Sequence, residues 1–149
     1  MRYLLDTGIL ARLLHRQDPL HQSVRQALRK LTADRHTFVT TTQNIGEFWN
    51  LCTRPNSARG GFGLSIETTS SRPRLLERFV TILKEPDSAY QKWKSFVVTY
   101  RVVGRQVHDA RLAASMSAYR LRRIVTLNPT DFARYPGLEA LTPSDVLAA

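Results

Sequence analysis

The chain has 149 residues, 42 % of them apolar, and a formal net charge of +10 from 22 Lys and Arg against 12 Asp and Glu. That length suits a single domain over residues 1–149 with a true core, and the apolar share excludes an intrinsically disordered chain. No apolar run is long enough to span a bilayer, no signal peptide opens the chain, and the lone Cys52 excludes an internal disulfide. A reducing cytoplasm fits that cysteine usage. The cationic excess favours a polyanionic partner, nucleic acid before an anionic membrane.

Tyr3-Leu4-Leu5 is a short apolar run that stops at Asp6, and it reads as a buried strand. In a parallel sheet Asp6 then stands at the carboxyl end, where open α/β sheets place their ligand crevices. Ile9, Leu10, Leu13 and Leu14 recur at helical spacing, so Asp6 also serves as an N-cap candidate. Leu20, Val24, Ala27, Leu28 and Leu31 predict a second amphipathic helix. Thr37 to Thr40 is a β-prone run, and Thr41 or Thr42 can cap the helix after it. That helix carries Ile45, Phe48, Trp49 and Cys52 on one apolar stripe. Glu47 falls on the polar stripe instead, and an exposed glutamate is the ordinary expectation there.

Residues 54–63 form a loop rich in glycine and arginine, without the spacing of a phosphate-binding glycine loop. A helix near Arg72 to Glu77, a third strand over Phe79 to Leu83, and a helix opened by Pro86-Asp87 follow. Tyr90, Trp93, Phe96, Val97 and Tyr100 on that last helix read as core. Gly104 breaks it, and the next helix is alanine-rich, with Asp109, Ala113 and Met116 on one side. A carboxylate facing inward is costly unless something pairs with it. Ile124 to Leu127 is the fourth strand, ending at Asn128 with Asp131 three residues on. A last short segment runs from Pro143 to Leu147.

Strands alternating with helices predict an α/β fold, a three-layer α/β/α sandwich with a mostly parallel sheet. Asp6, Asn128 and Asp131 then follow strand ends, and Asp109 opens a helix. Carboxylates brought together repel and need a cation. Oxygen ligands suit Mg²⁺ or Mn²⁺ better than zinc. Such a site on a basic protein points to phosphodiester cleavage.

Several fragments in order resemble the PIN-domain ribonucleases, in particular the VapC-like toxins of toxin–antitoxin pairs. They are Leu5-Asp6-Thr7, Asn44 to Trp49, the loop from Thr53 to Leu64, Gly104 to Arg111, Thr126 to Phe132, and Tyr135-Pro136-Gly137. The resemblance implies a metal site of Asp6, Glu47, Asp109 and Asp131, supported by Thr7 and Asn128. It thereby opposes the helical-wheel reading of Glu47. It also implies an endoribonuclease using Mg²⁺ or Mn²⁺, an RNA substrate, a cognate antitoxin and a homodimer. Arg54 and Arg105 are candidates to guide the RNA backbone, from charge and loop position. One departure stands out: Tyr119-Arg120 occupies the place where the family suggests His-Gly, which bears on a helix-ending turn rather than on the carboxylates. Two other functions compete. A metal-dependent phosphatase using Asp6 as nucleophile wants a second Asp two residues later, where Gly8 stands. A catalytically degenerate PIN-like module would bind RNA or protein without cutting, against which all four acids are present.

Overall fold

Tyr3, Leu4 and Leu5 are all buried, and they alternate between two cores. Tyr3 and Leu5 pack with Ile9, Val24, Phe48 and Val146, whereas Leu4 packs with Val39, Ala113, Met116 and Ile124. Successive strand side chains point to opposite faces, so a run buried throughout needs cover on both. The computed structural model, which describes residues 1–149, supplies that cover. Its strands are β1 (Arg2–Leu5), β2 (Thr37–Thr41), β3 (Val80–Leu83), β4 (Arg123–Val125) and β5 (Glu139–Leu141). Its helices are α1 (Thr7–Leu14), α2 (His21–Ala33), α3 (Thr42–Thr53), α4 (Ile66–Ser70), α5 (Arg72–Leu76), α6 (Ala89–Thr99), α7 (Val107–Ala118) and α8 (Pro143–Ala148). Short 3-10 turns over Gly104–Gln106 and Pro129–Phe132 lead into α7 and follow β4.

The five strands form one sheet in the order β3-β2-β1-β4-β5, and every pairing is parallel. The sandwich expected from the alternation is therefore present, with a wholly parallel sheet. Side chains from α1, α2, α3, α5 and α8 fill one core, and those from α6 and α7 fill the other. From the central β1 the chain builds outward through β2 and β3, then crosses back to β4 and β5 on the other side. Between β1 and β4 the order reverses, and the crevice beyond their carboxyl ends is the natural ligand position in such sheets.

Some elements differ from the sequence reading. β5 is an unpredicted strand: three residues, none fully buried, are too few for a period to show. The third strand begins at Val80, leaving Phe79 exposed. The fourth ends at Val125, although the Thr126 amide still donates to the Leu141 carbonyl at 2.9 Å. The helix expected near Arg72 to Glu77 is present as α5, and a further short helix, α4, precedes it with Ser65 as its cap.

The Tyr119-Arg120 departure is absorbed locally. α7 ends with Arg120 in the left-handed region at φ 56. Its amide donates to Ser117 at 3.1 Å and that of Leu121 to Met116 at 2.8 Å. That is the hydrogen-bond pattern of a Schellman ending. Arginine adopts it at a cost of about 1 kcal/mol relative to glycine.

Candidate active site

β1 delivers Asp6 to the crevice, where the Asp6 amide still donates to the Val125 carbonyl of β4 at 3.1 Å. Asp6 is also the N-cap of α1, the position its place before the helical period predicts. Its Oδ1 accepts from the Thr7 amide at 2.8 Å and from Asn44 Nδ2 at 3.2 Å. Its Oδ2 accepts from the Thr126 hydroxyl at 2.6 Å. Burial pushes the Asp6 carboxyl above its ordinary range; the Thr126 and Thr7 hydrogen bonds pull back, and the charges of Glu47 and Asp131 push further up.

α3 starts at a capping box. The Thr41 hydroxyl accepts from the Asn44 amide, and Asn44 Oδ1 accepts from the Thr41 amide. Asn44 is fully buried, and its amide group then reaches both Asp6 and the Thr7 hydroxyl, each at 3.2 Å. One turn on, Glu47 is half-buried rather than solvated. It accepts from the Thr7 hydroxyl at 2.9 Å and from Gln43 Nε2 at 3.1 Å. The wheel sorted Glu47 correctly away from the Phe48 and Cys52 core, but the polar side of α3 faces α1 and the crevice. Gln43 also donates to the His108 carbonyl at 2.9 Å, tying α3 to the first turn of α7.

Asp109 lies in that first turn, half-buried, and Asp131 lies in the 3-10 turn after β4. Burial and the charges of Asp131, Asp6 and Glu47 push the Asp109 carboxyl up to about 6, against a partial opposing pull from Arg105. The four acids singled out in the sequence therefore act electrostatically on one another. They do not close into a finished ligand shell: no three acidic, His or Cys side chains stand together in the manner of a metal site. Asp6 and Glu47 are instead occupied by Thr7, Asn44, Thr126 and Gln43. An all-oxygen donor set of mutually repelling carboxylates fits a hard divalent cation in its chemistry.

The other candidates fall unevenly. Thr7 bridges toward both Glu47 and Asn44. Asn128 is exposed, and it enters the site region through its backbone: its amide donates to the Thr126 hydroxyl at 3.2 Å, and its carbonyl accepts from the Asp131 amide at 3.1 Å. Arg105 is exposed and near enough to lower Asp109. Arg54 folds over its own loop, donating to the Arg59 carbonyl at 3.1 Å. Gln43 was not singled out, and Asn44 and Thr126 only within family fragments. The Thr-x-x-Asn spacing before α3 was the available signal for Asn44, since it predicts a capping box. A threonine interrupting the apolar run from Ile124 to Leu127 was the signal for Thr126.

No curated protein matches the sequence significantly. Among solved structures, the fold is similar to VapBC-1 from nontypeable Haemophilus influenzae, with TM-score 0.70 and 18 % identity over 97 % of this chain and 99 % of that one. It is also similar to VapBC2 from Rickettsia felis bound to a promoter DNA fragment, with TM-score 0.69 and 18 % identity over 95 % of this chain and 98 % of that one. VapC20 from Mycobacterium tuberculosis, described as a sarcin-ricin loop cleaving toxin, gives TM-score 0.57 and 17 % identity over 82 % of this chain and 86 % of that one. The family profile described as PIN domain matches residues 3–138, nearly the whole chain. With that match and the sandwich just described, the chain belongs to the PIN domain family.

Proposed function

We propose that the protein is a metal-dependent endoribonuclease acting as the toxin of a toxin–antitoxin pair. The observation that carries this is the mutual electrostatic action of Asp6, Glu47, Asp109 and Asp131 at the carboxyl ends of the central strands of a strongly basic chain. Asp6 and Asp109 would be the principal holders of Mg²⁺ or Mn²⁺, with Glu47 and Asp131 completing the set. A divalent ion supplies charge stabilisation at phosphorus and water activation when bound. Thr7 and Asn44 fix the Asp6 and Glu47 carboxylates, and Gln43 keeps Glu47 in register with the start of α7. Arg105, beside Asp109, offers a cation to the incoming phosphodiester, and Arg54 offers a second from its loop. Water attack needs no ribose hydroxyl; with the P–O3′ bond breaking and the 3′ oxygen leaving with a proton, the products would carry 5′-phosphate and 3′-OH ends.

Glu47→Gln is the sharpest variant, because the helical pattern and the family resemblance disagree about this residue. Gln keeps the shape and an acceptor for Thr7, so the urea midpoint should stay at wild type. Cleavage should fall by two orders of magnitude or more, roughly 3 kcal/mol of transition-state stabilisation. A variant that cuts RNA at the wild-type rate removes Glu47 from the site.

The partner would be a cognate antitoxin in the cytoplasm. A hollow of about 520 Å³ between α1, α2 and α5 is lined by Arg16, Arg25 and Arg72 with Leu14, Leu75 and Phe79. Arg72 Nη1 is buried there without a hydrogen-bond partner. An antitoxin segment carrying both acidic and apolar side chains fits that lining. A homodimer belongs to the same proposal. Phe48 is consumed by the core, and Ile45 packs against it. The side chains left for a dimer contact are Trp49, Tyr90 and Val98, which are 36, 61 and 74 % exposed. Light scattering at micromolar concentration should give twice the chain mass; a strict monomer contradicts the dimer.

A further inference from the structure

The strands begin at the end of the molecule opposite the carboxylates, and arginines gather there. Arg2 opens β1, Arg123 opens β4, and Arg120 and Arg122 lie in the turn before it. All four line one small pocket of about 130 Å³. Two of them are held in place. Arg2 donates to the Tyr119 carbonyl at 3.3 Å, and Arg123 donates to Glu139 at 2.6 Å and to the Tyr3 hydroxyl at 2.8 Å. Arg120 and Arg122 are exposed and take part in none of the three ion pairs of the molecule. A larger hollow of about 300 Å³ adjoins the pocket and shares Arg120 and Arg122 with it; Phe96, Tyr135 and Leu138 are among its walls.

We propose that this arginine pocket and the hollow beside it form a second contact for single-stranded RNA, phosphate on Arg120 and Arg122 and one unstacked base in the hollow. The inference rests on the ribonuclease proposal only for the identity of the polyanion. Guanidinium groups match phosphate oxygens in pairs. A cationic groove next to a hollow of mixed polar and apolar walls can hold a strand by its phosphates and admit a base without sequence readout. A single strand supplies both groups the surface calls for, a phosphate for the arginines and a base for the hollow. Strands of this length separate the two ends of the sheet by roughly 13 Å. The pocket therefore adds affinity and orientation to a longer RNA, and takes no part in the chemistry.

The test uses Arg120→Gly with Arg122→Gln, placed in an Asp6→Asn protein that does not cut. Glycine accepts the backbone at φ 56 without strain, so the fold should be as stable as the parent or more so. Binding of a 20-nucleotide single-stranded RNA is measured against salt. Losing two phosphate contacts should flatten the log–log slope by about 1.4 and weaken binding at low salt about tenfold or more. Unchanged slope and affinity, with metal-dependent cleavage intact in the wild-type background, would overturn this proposal alone. Loss of RNA binding in the variant, with no cleavage by the wild type under any divalent ion, would overturn the nuclease proposal and leave this one standing. Poly-glutamate competing as well as unlabelled RNA at matched charge would make the surface one for acidic protein and overturn it.

Discussion

Asp109→Asn should abolish RNA cleavage and, at the same time, make the metal-free protein more stable at neutral pH. Burial and three neighbouring carboxylates push Asp109 up to about 6. A carboxyl with a raised folded-state pKa takes up its proton in the native state before the unfolded chain does. The metal-free wild type therefore gains stability as pH falls from 7 through about 6 toward 4, and loses it again as pH rises. The full shift would correspond to about 3 kcal/mol at pH 7, and solvent screening of this half-buried carboxyl lowers the gain to about 1 kcal/mol. Asparagine removes the titrating group, so the variant should start more stable and show a flatter pH dependence between 4 and 7. Each kcal/mol should appear as roughly 2–4 °C in Tm for a chain of this length. Divalent ion should reverse the ranking, stabilising the wild type by mass action and leaving Asp109→Asn nearly unmoved. Calorimetric titration with Mn²⁺ gives the same answer independently. Wild-type affinity in the variant would take Asp109 out of the proposed ligand set.

Asn44→Ala should damage both stability and cleavage while leaving every carboxylate in place. The Asn44 side chain accepts from the Thr41 hydroxyl at 2.7 Å and from the Thr41 amide at 3.3 Å, and donates to Asp6 and Thr7. Alanine removes half of the capping box of α3 and leaves buried polar groups without partners. The expected loss is about 2–4 kcal/mol, the sum of a cap and of unsatisfied buried hydrogen-bonding groups. The urea midpoint should fall with the m value unchanged, and cleavage should fall beyond what the unfolded fraction explains, because Asp6 loses a donor that orients it. Asn44→Asp separates the two effects. It restores the acceptor for Thr41 but sets a fifth carboxylate against Asp6, so stability should recover in part and activity should not. A stable, fully active Asn44→Ala would remove Asn44 from the positioning network.

The strands and the cover on both sheet faces were readable because Tyr3, Leu4 and Leu5 are apolar without alternation, which only a doubly covered strand requires. Asp6 was readable for the same reason: it follows the central strand and precedes a helical period. Glu47 was readable only by resemblance. Its environment is set by Thr7, forty residues away, and a helical wheel contains no information about the neighbouring helix. β5 escaped because Glu139, Ala140 and Leu141 span too little chain to show a period. The end of α7 carried a conflicting signal, since Arg120 occupies a left-handed turn that glycine would mark in sequence. Gln43 escaped because its two partners, the Glu47 side chain and the His108 carbonyl, meet only once α3 and α7 are packed.

The decisive measurement is cleavage of a mixed RNA pool by the purified protein with Mg²⁺ or Mn²⁺ and with chelator, followed by analysis of the ends. Fragments bearing 5′-phosphate and 3′-OH should form only with the divalent ion and be absent for Asp6→Asn. Cleavage that persists in chelator, or that survives Asp6→Asn, would contradict the proposed function.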